Sequence, residues 1–337
     1  MQSKSDSEND VTKDPEVIKQ IKEQEKRNYR PWFLALVTLT QVAMMAVELI
    51  PTGFEDPAIN IFFGPTKLIQ LKYGAKYAPC MREDPGAVER TPHVSCPDGY
   101  TGTPEQVING TCLMTYYEYL SYNCQMGGFT VPNQYWRFIT PLFIHVGLLQ
   151  LAFTVVFQIW KGFPIERDIG SIRMAVIYLI SGIFGIAWSA NMSPNQISCA
   201  PTGPLFAILG LLYLDLFQNW PLLLNPWRWF IILTIIVVIL LGVGLLPFID
   251  NYSHMGSFGM GILTGLIFVP SISFGKWDGR RKKIAMGLSI PVVILLYFGA
   301  FYAFIDGKDT NTCKYCSVLD CVPPESSFCK EGSLNFI

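Results

Sequence analysis

Charge is what this chain has least of. Only 15% of its 337 residues are Asp, Glu, Lys or Arg, against about 25% in an ordinary soluble domain. The net charge of −1 leaves no basic excess, which removes the electrostatic footprint of a nucleic-acid-binding protein. A cleavable signal peptide is also missing. The first 31 residues are polar and hold seven Lys or Arg, where a signal peptide would need an apolar stretch. "CKYC" at 313–316 resembles half a zinc site, but no second CxxC and no HxxxH follow it. Neither metal nor cofactor is expected.

Apolar residues are what is there. They make up 50% of the chain, and the mean hydropathy is +0.32. Seven stretches approach the ~20 residues that a bilayer crossing requires: 32–50, 138–160, 174–190, 204–218, 229–247, 254–274 and 284–305. The fourth is short and begins with prolines. Pro270 and Pro291 interrupt the last two, which neighbouring helices can accommodate in a membrane. Seven such runs are too many for buried helices of a soluble protein, so an all-α polytopic membrane protein is expected.

Charge and cysteine give an orientation. The basic tail 1–31 is expected in the cytoplasm, with 32–50 as first span and signal anchor. "GKWDGRRKK" at 275–283 is a compact basic segment on the same side, as the positive-inside rule requires. Residues 51–137 then form a lumenal or extracellular loop, 138–305 the remaining spans, and 306–337 a second outside segment. Cys80, Cys96, Cys112 and Cys124 lie in the first outside segment, and Cys313, Cys316, Cys321 and Cys329 in the second. Two even sets read as disulfide-stapled segments in an oxidising compartment of the secretory pathway or at the cell surface. Four cysteines allow three pairings in each segment. Asn109-Gly110-Thr111 is a glycosylation sequon on the same side.

The order of motifs resembles the rhomboid family of intramembrane serine proteases. "YWRFITPLFIHVGLLQL", with Trp136 and Arg137, resembles the entry to the family's second span. "ERDIGSIR" at 166–173 resembles the loop before the third, and "GLLPFIDNYSHMG" at 244–256 the entry to the sixth. "FFGPTKLIQLKYGAKYAPCMR" and "VPNQYWRFITP" look most like fungal secretory-pathway rhomboids. The resemblance covers about 32–305 and implies a six-helix core plus a seventh transmembrane helix.

Rhomboid chemistry needs a serine in Gly-x-Ser-Gly, a histidine base from the sixth span, and oxyanion donors from the second. His254 matches the base, followed by Gly256 and Gly261, which permit close helix approach. At the nucleophile position the chain reads Ala200-Pro201-Thr202-Gly203. Thr202 keeps a hydroxyl, but its β-branch restricts χ1, and Pro201 precedes it as proline does in inactive rhomboids. Ser198 and Cys199 are offset from that position. The His-x-x-x-x-His-x-x-x-Asn pattern of active relatives becomes His145, Gln150 and Thr154. The expectation is a pseudoprotease that binds single-span transmembrane clients, with membrane lipid around it and no nucleic-acid partner. A Thr202/His254 dyad with residual peptidase activity is the alternative. A transporter is a third reading, for which Glu48 and Asp215, the acidic residues in the first six spans, offer little support.

Overall fold

A computed structural model describes residues 14–83, 93–95, 107–108, 111–113, 116–126, 132–246, 248–306 and 319. Asn109, Cys96 and the four cysteines of 306–337 lie outside them, and of Cys112 only the backbone is described.

The first helix, α1 (Pro15–Glu25), is capped by the Asp14 carboxylate, which accepts from Glu16 N. The apolar α2 (Trp32–Thr52) has no cap of its own. Its first turn is instead completed from elsewhere in the chain: the Glu166 carboxylate accepts from Phe33 N and Leu34 N at 2.8 and 2.9 Å. Both unsatisfied donors and the positive end of the helix dipole meet a negative charge there.

The long loop that follows holds α3 (Lys67–Tyr73) and α4 (Ala78–Met81), then strands β1 (His93–Ser95), β2 (Val107–Ile108) and β3 (Thr111–Leu113), and finally α5 (Tyr116–Asn123). The strands form a small antiparallel sheet in the order β1-β3-β2 within an otherwise helical fold. A Cys80–Cys124 disulfide ties α4 to the end of α5.

The second span does not lie at 138–160. Tyr135–Phe138 and Thr140–Leu142 are two short 3-10 turns, and the helix begins only after Gly147. It runs Leu148–Ile169, as α6 (Leu148–Phe157), a π-helical turn (Gln158–Gly162) and α7 (Phe163–Ile169). Pro164 offers no N–H to the Trp160 carbonyl four residues earlier and crowds it, and the wide turn accommodates that loss. "ERDIGSIR" is accordingly no loop. Glu166 is in the helix, Gly170 makes the reversal at φ +91°, and the next helix starts at once.

The remaining helices are α8 (Ser171–Met192), α9 (Gly203–Gln218), α10 (Pro226–Val243), α11 (Asn251–Phe268) and α12 (Lys276–Asp306). Of all the described helices, five are long and apolar enough to cross a membrane: α2, Leu148–Ile169, α8, α10 and α12. At 16 residues α9 is shorter, but it is buried along nearly its whole length, as befits a helix that is apolar all round.

The core is α8, α9 and α11, packed against one another. Gly261 brings α11 onto α9 so closely that a Cβ there would stand 2.5 Å from Ala207 Cα. By contrast, α10 has no buried residue. Leu36 and Leu39 of α2, Val238 and Ile239 of α10 and Ile294 and Phe298 of α12 are all exposed. Water would not tolerate so many outward apolar side chains, whereas a bilayer suits them. The protein is a multi-pass membrane protein of mainly helical fold.

Candidate functional site

Residues 198–200 lead to a turn at Pro201 and Thr202, from which α9 begins at Gly203. Ser198 pairs with Lys76 through two backbone hydrogen bonds (2.9 and 3.1 Å), and Ala200 N donates to the Pro141 carbonyl. Thr202 sits at the N-cap position without capping the helix. Pro201 and Pro204 flank it at the helix start, where a missing N–H costs no intrahelical bond. Because it does not cap, the Thr202 hydroxyl is available to another partner. It lies 2.7 Å from His254 Nε2.

His254 stands in the first turn of α11 and is held on several sides. Its ring stacks on Phe206 at 4.2 Å and 11°. Its Nδ1 lies 3.4 Å from Asn251 Oδ1, and Asn251 in turn donates to the Leu241 and Leu319 carbonyls. The tautomer that satisfies both contacts carries the proton on Nδ1 and leaves Nε2 to accept from the Thr202 hydroxyl. The spacing of α11 from both α9 and α8 is set by small residues. A Cβ at Gly203 would stand 2.8 Å from Ser253 Oγ, and one at Gly256 would stand 3.2 Å from Gly185 Cα.

A cavity of about 230 Å³ opens beside the dyad, between α6, α9 and α10. Thr202, His254 and Gln150 contribute its polar groups, and Phe153, Leu205 and Val243 are among its apolar lining. Gln150 Oε1 accepts from Val146 N (2.9 Å), while its Nε2 has no partner among the described residues. The three expected oxyanion positions therefore separate. Gln150 lines the cavity; His145 and Thr154 are fully buried, do not line it, and have no side-chain partner among the described residues.

Trp136 and Arg137 stand away from the dyad. Arg137 is wholly buried and donates to the carbonyls of Leu71 and Ala75 (2.7 and 2.8 Å) and to Gln134 Oε1 (2.7 Å). Its guanidinium lies 4.6 Å over the Trp136 ring. Arg137 thereby fastens the loop around Leu71 and Ala75 to the segment that leads into α6. Ser198 and Cys199 are both buried, and neither reaches His254: Ser198 Oγ donates to Asp250, and Cys199 is a free thiol 3.7 Å from Gln70 Oε1.

Sequence reasoning missed the charge cluster directly behind the dyad. Lys76 and Asp250 form a buried ion pair at 3.4 Å, with side chains 0% and 1% exposed. Lys76 Nζ also donates to Ser189 Oγ (2.7 Å) and the Ser193 carbonyl (3.1 Å). Asp250 Oδ2 accepts from Ser189 Oγ and Ser198 Oγ at 2.5 and 2.8 Å. Asp250 Oδ1 caps α11 by accepting from Ser253 N. One ion pair thus links the loop between α3 and α4, α8, the segment carrying Thr202 and the helix carrying His254. Asp250, three residues before Ser253, was readable as an N-cap; Lys76 had no sequence cue. No group of three or more His, Cys, Asp or Glu side chains among the described residues is arranged to hold a metal.

Residues 132–271 match the model of the rhomboid domain. The chain is 36% identical over 213 residues to inactive rhomboid protein 1 of Homo sapiens, covering 61% of this chain and 24% of the human protein. It is 31% identical over 284 residues to inactive rhomboid protein 1 of Danio rerio, 77% of this chain and 33% of the fish protein. To rhomboid-type serine protease 2 of Emericella nidulans it is 33% identical over 287 residues, 82% of this chain and 56% of the fungal protein. The expected closeness to fungal rhomboids is therefore not supported, since the human protein matches at 36% identity against 33% for the fungal one. The chain spans between about a quarter and a little over half the length of these relatives. Residues 132–271 thus form a rhomboid domain similar to that of inactive rhomboid proteins, with Thr202 beside His254 where an active rhomboid carries serine.

Proposed function

We propose that this protein is a rhomboid pseudoprotease, which holds a transmembrane segment of a client protein against its apolar cavity without cutting it. The observation that carries this reading is Thr202 at the wall of that cavity, its hydroxyl hydrogen-bonded to His254. Attack on a peptide carbonyl requires the nucleophile and the carbon within ~3.5 Å, and a 1 Å misplacement costs about a hundredfold. The branched Cβ of threonine puts a methyl group into that approach. Of the three oxyanion positions only Gln150 reaches the cavity, and each lost donor costs on the order of 100- to 1000-fold in turnover. Client binding needs none of this chemistry, only apolar surface beside the lightly packed α10.

The reading includes seven spans, with α9 and α11 as the fourth and sixth, a cytoplasmic N-terminus and a lumenal or extracellular C-terminus. The disulfide between α4 and α5 supports an oxidising compartment for that loop. The 2.7 Å contact between Thr202 and His254 favours one rival reading, a threonine-dependent peptidase. Cleavage of a generic rhomboid substrate in proteoliposomes separates the two. The natural chain, Thr202→Ala and His254→Ala are all expected to be silent. Cleavage by the natural chain that disappears in both variants would establish the dyad as an enzyme.

A further inference from the structure

The basic segment near residue 280 is not a loop. It forms the first two turns of α12, a helix of 31 residues. At about 1.5 Å per residue that helix is roughly 46 Å long, whereas the hydrocarbon core of a bilayer is about 30 Å thick. The apolar part from Ile284 onwards fills the core. The two turns before it, roughly 12 Å, stand in the headgroup layer.

Within those turns the charges divide into two sets. Asp278 faces inward, accepts from Phe274 N, and pairs with Lys282 at 2.8 Å and Arg281 at 2.7 Å. Lys282 also donates to the carbonyls of Gln218 and Ile272, so its charge is used in fastening α12 to the end of α9. The other set faces outward. Lys276, Arg280 and Lys283 are exposed, follow one another at helical spacing of four and three, and have no protein partner among the described residues. Trp277 stands beside them, 73% exposed, with the Arg281 guanidinium 5.3 Å from its ring. An exposed tryptophan next to unpaired cations is the pattern of a membrane–water interface. The segment just before α12 also meets α1, whose Gln20 Oε1 accepts from Ser273 N. Its Glu23 lines a small cleft with Pro270 and Ile272 and pairs with Lys19.

From this placement we infer that Lys276, Arg280 and Lys283, with Trp277, bind the headgroup of an acidic phospholipid at the cytoplasmic end of α12. Charge complementarity selects the occupant: three free cations at phosphate level, in the leaflet where anionic lipids concentrate. The inference rests on α12 crossing the membrane and is independent of whether the dyad is active.

The test uses the full chain in phosphatidylcholine nanodiscs containing spin-labelled phosphatidylserine or spin-labelled phosphatidylcholine. The natural chain is expected to retain the serine lipid with at least a fivefold preference, since one basic side chain near an anionic surface contributes about fivefold. Lys276→Gln/Arg280→Gln/Lys283→Gln should reduce the preference to near one, as should 0.5 M salt, where the Debye length is only ~4 Å. Lys19→Gln/Lys22→Gln on α1 should leave it unchanged, which separates a local site from net charge. Equal retention by the natural chain and the triple variant would overturn the inference. Loss of preference in the α1 variant would overturn it too, as would displacement of the lipid by 50 mM inorganic phosphate alone. Because the three side chains are solvent-facing, unchanged thermal unfolding of the triple variant confirms that its fold is intact.

Discussion

Lys76→Met leaves the Asp250 carboxylate in the protein interior with its serine and backbone partners but without its counter-charge. Removing one member of a buried ion pair costs on the order of 3–5 kcal/mol, because the remaining charge is stranded in a poorly polarisable interior. With Lys76 and Asp250 only 0% and 1% exposed, solvent cannot screen the loss, so the upper part of that range applies. Asp250→Asn keeps an oxygen to cap α11 but strands the Lys76 ammonium, with a similar cost. In the double variant Lys76→Met/Asp250→Asn no unpaired charge remains, and most of the loss should be recovered, so the double variant should be far more stable than the sum of the two single losses implies. The buried thiol of Cys199, next to Ser198, is the reporter. Thermal unfolding followed by its labelling with a maleimide dye should fall by roughly 10 °C in each single variant and by only a few degrees in the double. Labelling of Cys199 below the unfolding temperature should also quicken in the single variants. Single variants within ~1 kcal/mol of the natural chain, or a double variant as unstable as the sum of the two, would refute the reasoning.

Three further outcomes follow from the packing. Gly261→Val should separate α9 from α11, because its Cβ would meet the Ala207 backbone at 2.5–2.6 Å; a loss of about 3 kcal/mol or more is expected, read as thermal stability together with faster labelling of a cysteine placed at Phe258. Glu166→Ala removes the acceptor of Phe33 N, Leu34 N and the Ser171 hydroxyl. It should cost ~3 kcal/mol, while Glu166→Gln, which keeps one carbonyl acceptor, should cost less in the same unfolding assay. Cys80→Ser opens a closed loop of 44 residues, worth about 4 kcal/mol by loop-closure entropy; limited proteolysis of the outside loop should accelerate accordingly, and equally in Cys124→Ser.

Much of the bundle was legible because bilayer crossing imposes a length and a composition. The apolar stretches 32–50 and 204–218 coincide with α2 and α9 to within two residues. Where the reading slipped, local backbone chemistry overrode the apolar run. "YWRFITPLFIHVGLLQL" is apolar almost throughout, but Pro141 and Gly147 break it, so the helix starts at Leu148 and ends at Ile169. The third span starts at Ser171 rather than 174, because Gly170 takes up the reversal in a single residue. The Thr202–His254 pairing was legible as a motif match. The separation of Gln150 from Thr154 and His145 was not: Gln150 and Thr154 share one face of α6 a turn apart and His145 precedes the helix, so only the tertiary packing around them decides which lines the cavity. Lys76 was illegible for a different reason. A lysine in an outside loop reads as solvated, and its partner Asp250 arrives from 174 positions along the chain.

The central claim, that the cavity holds a client segment and leaves it whole, is tested most directly from within. A photo-crosslinking amino acid at Leu205, in the cavity wall, is irradiated in the full chain reconstituted with a labelled single-span membrane protein. Mass analysis then gives the size of whatever is attached. The account predicts a crosslinked client of full length, lost when Phe153→Trp narrows the cavity. A truncated client on the crosslink, or free cleavage products that vanish in His254→Ala, would contradict it.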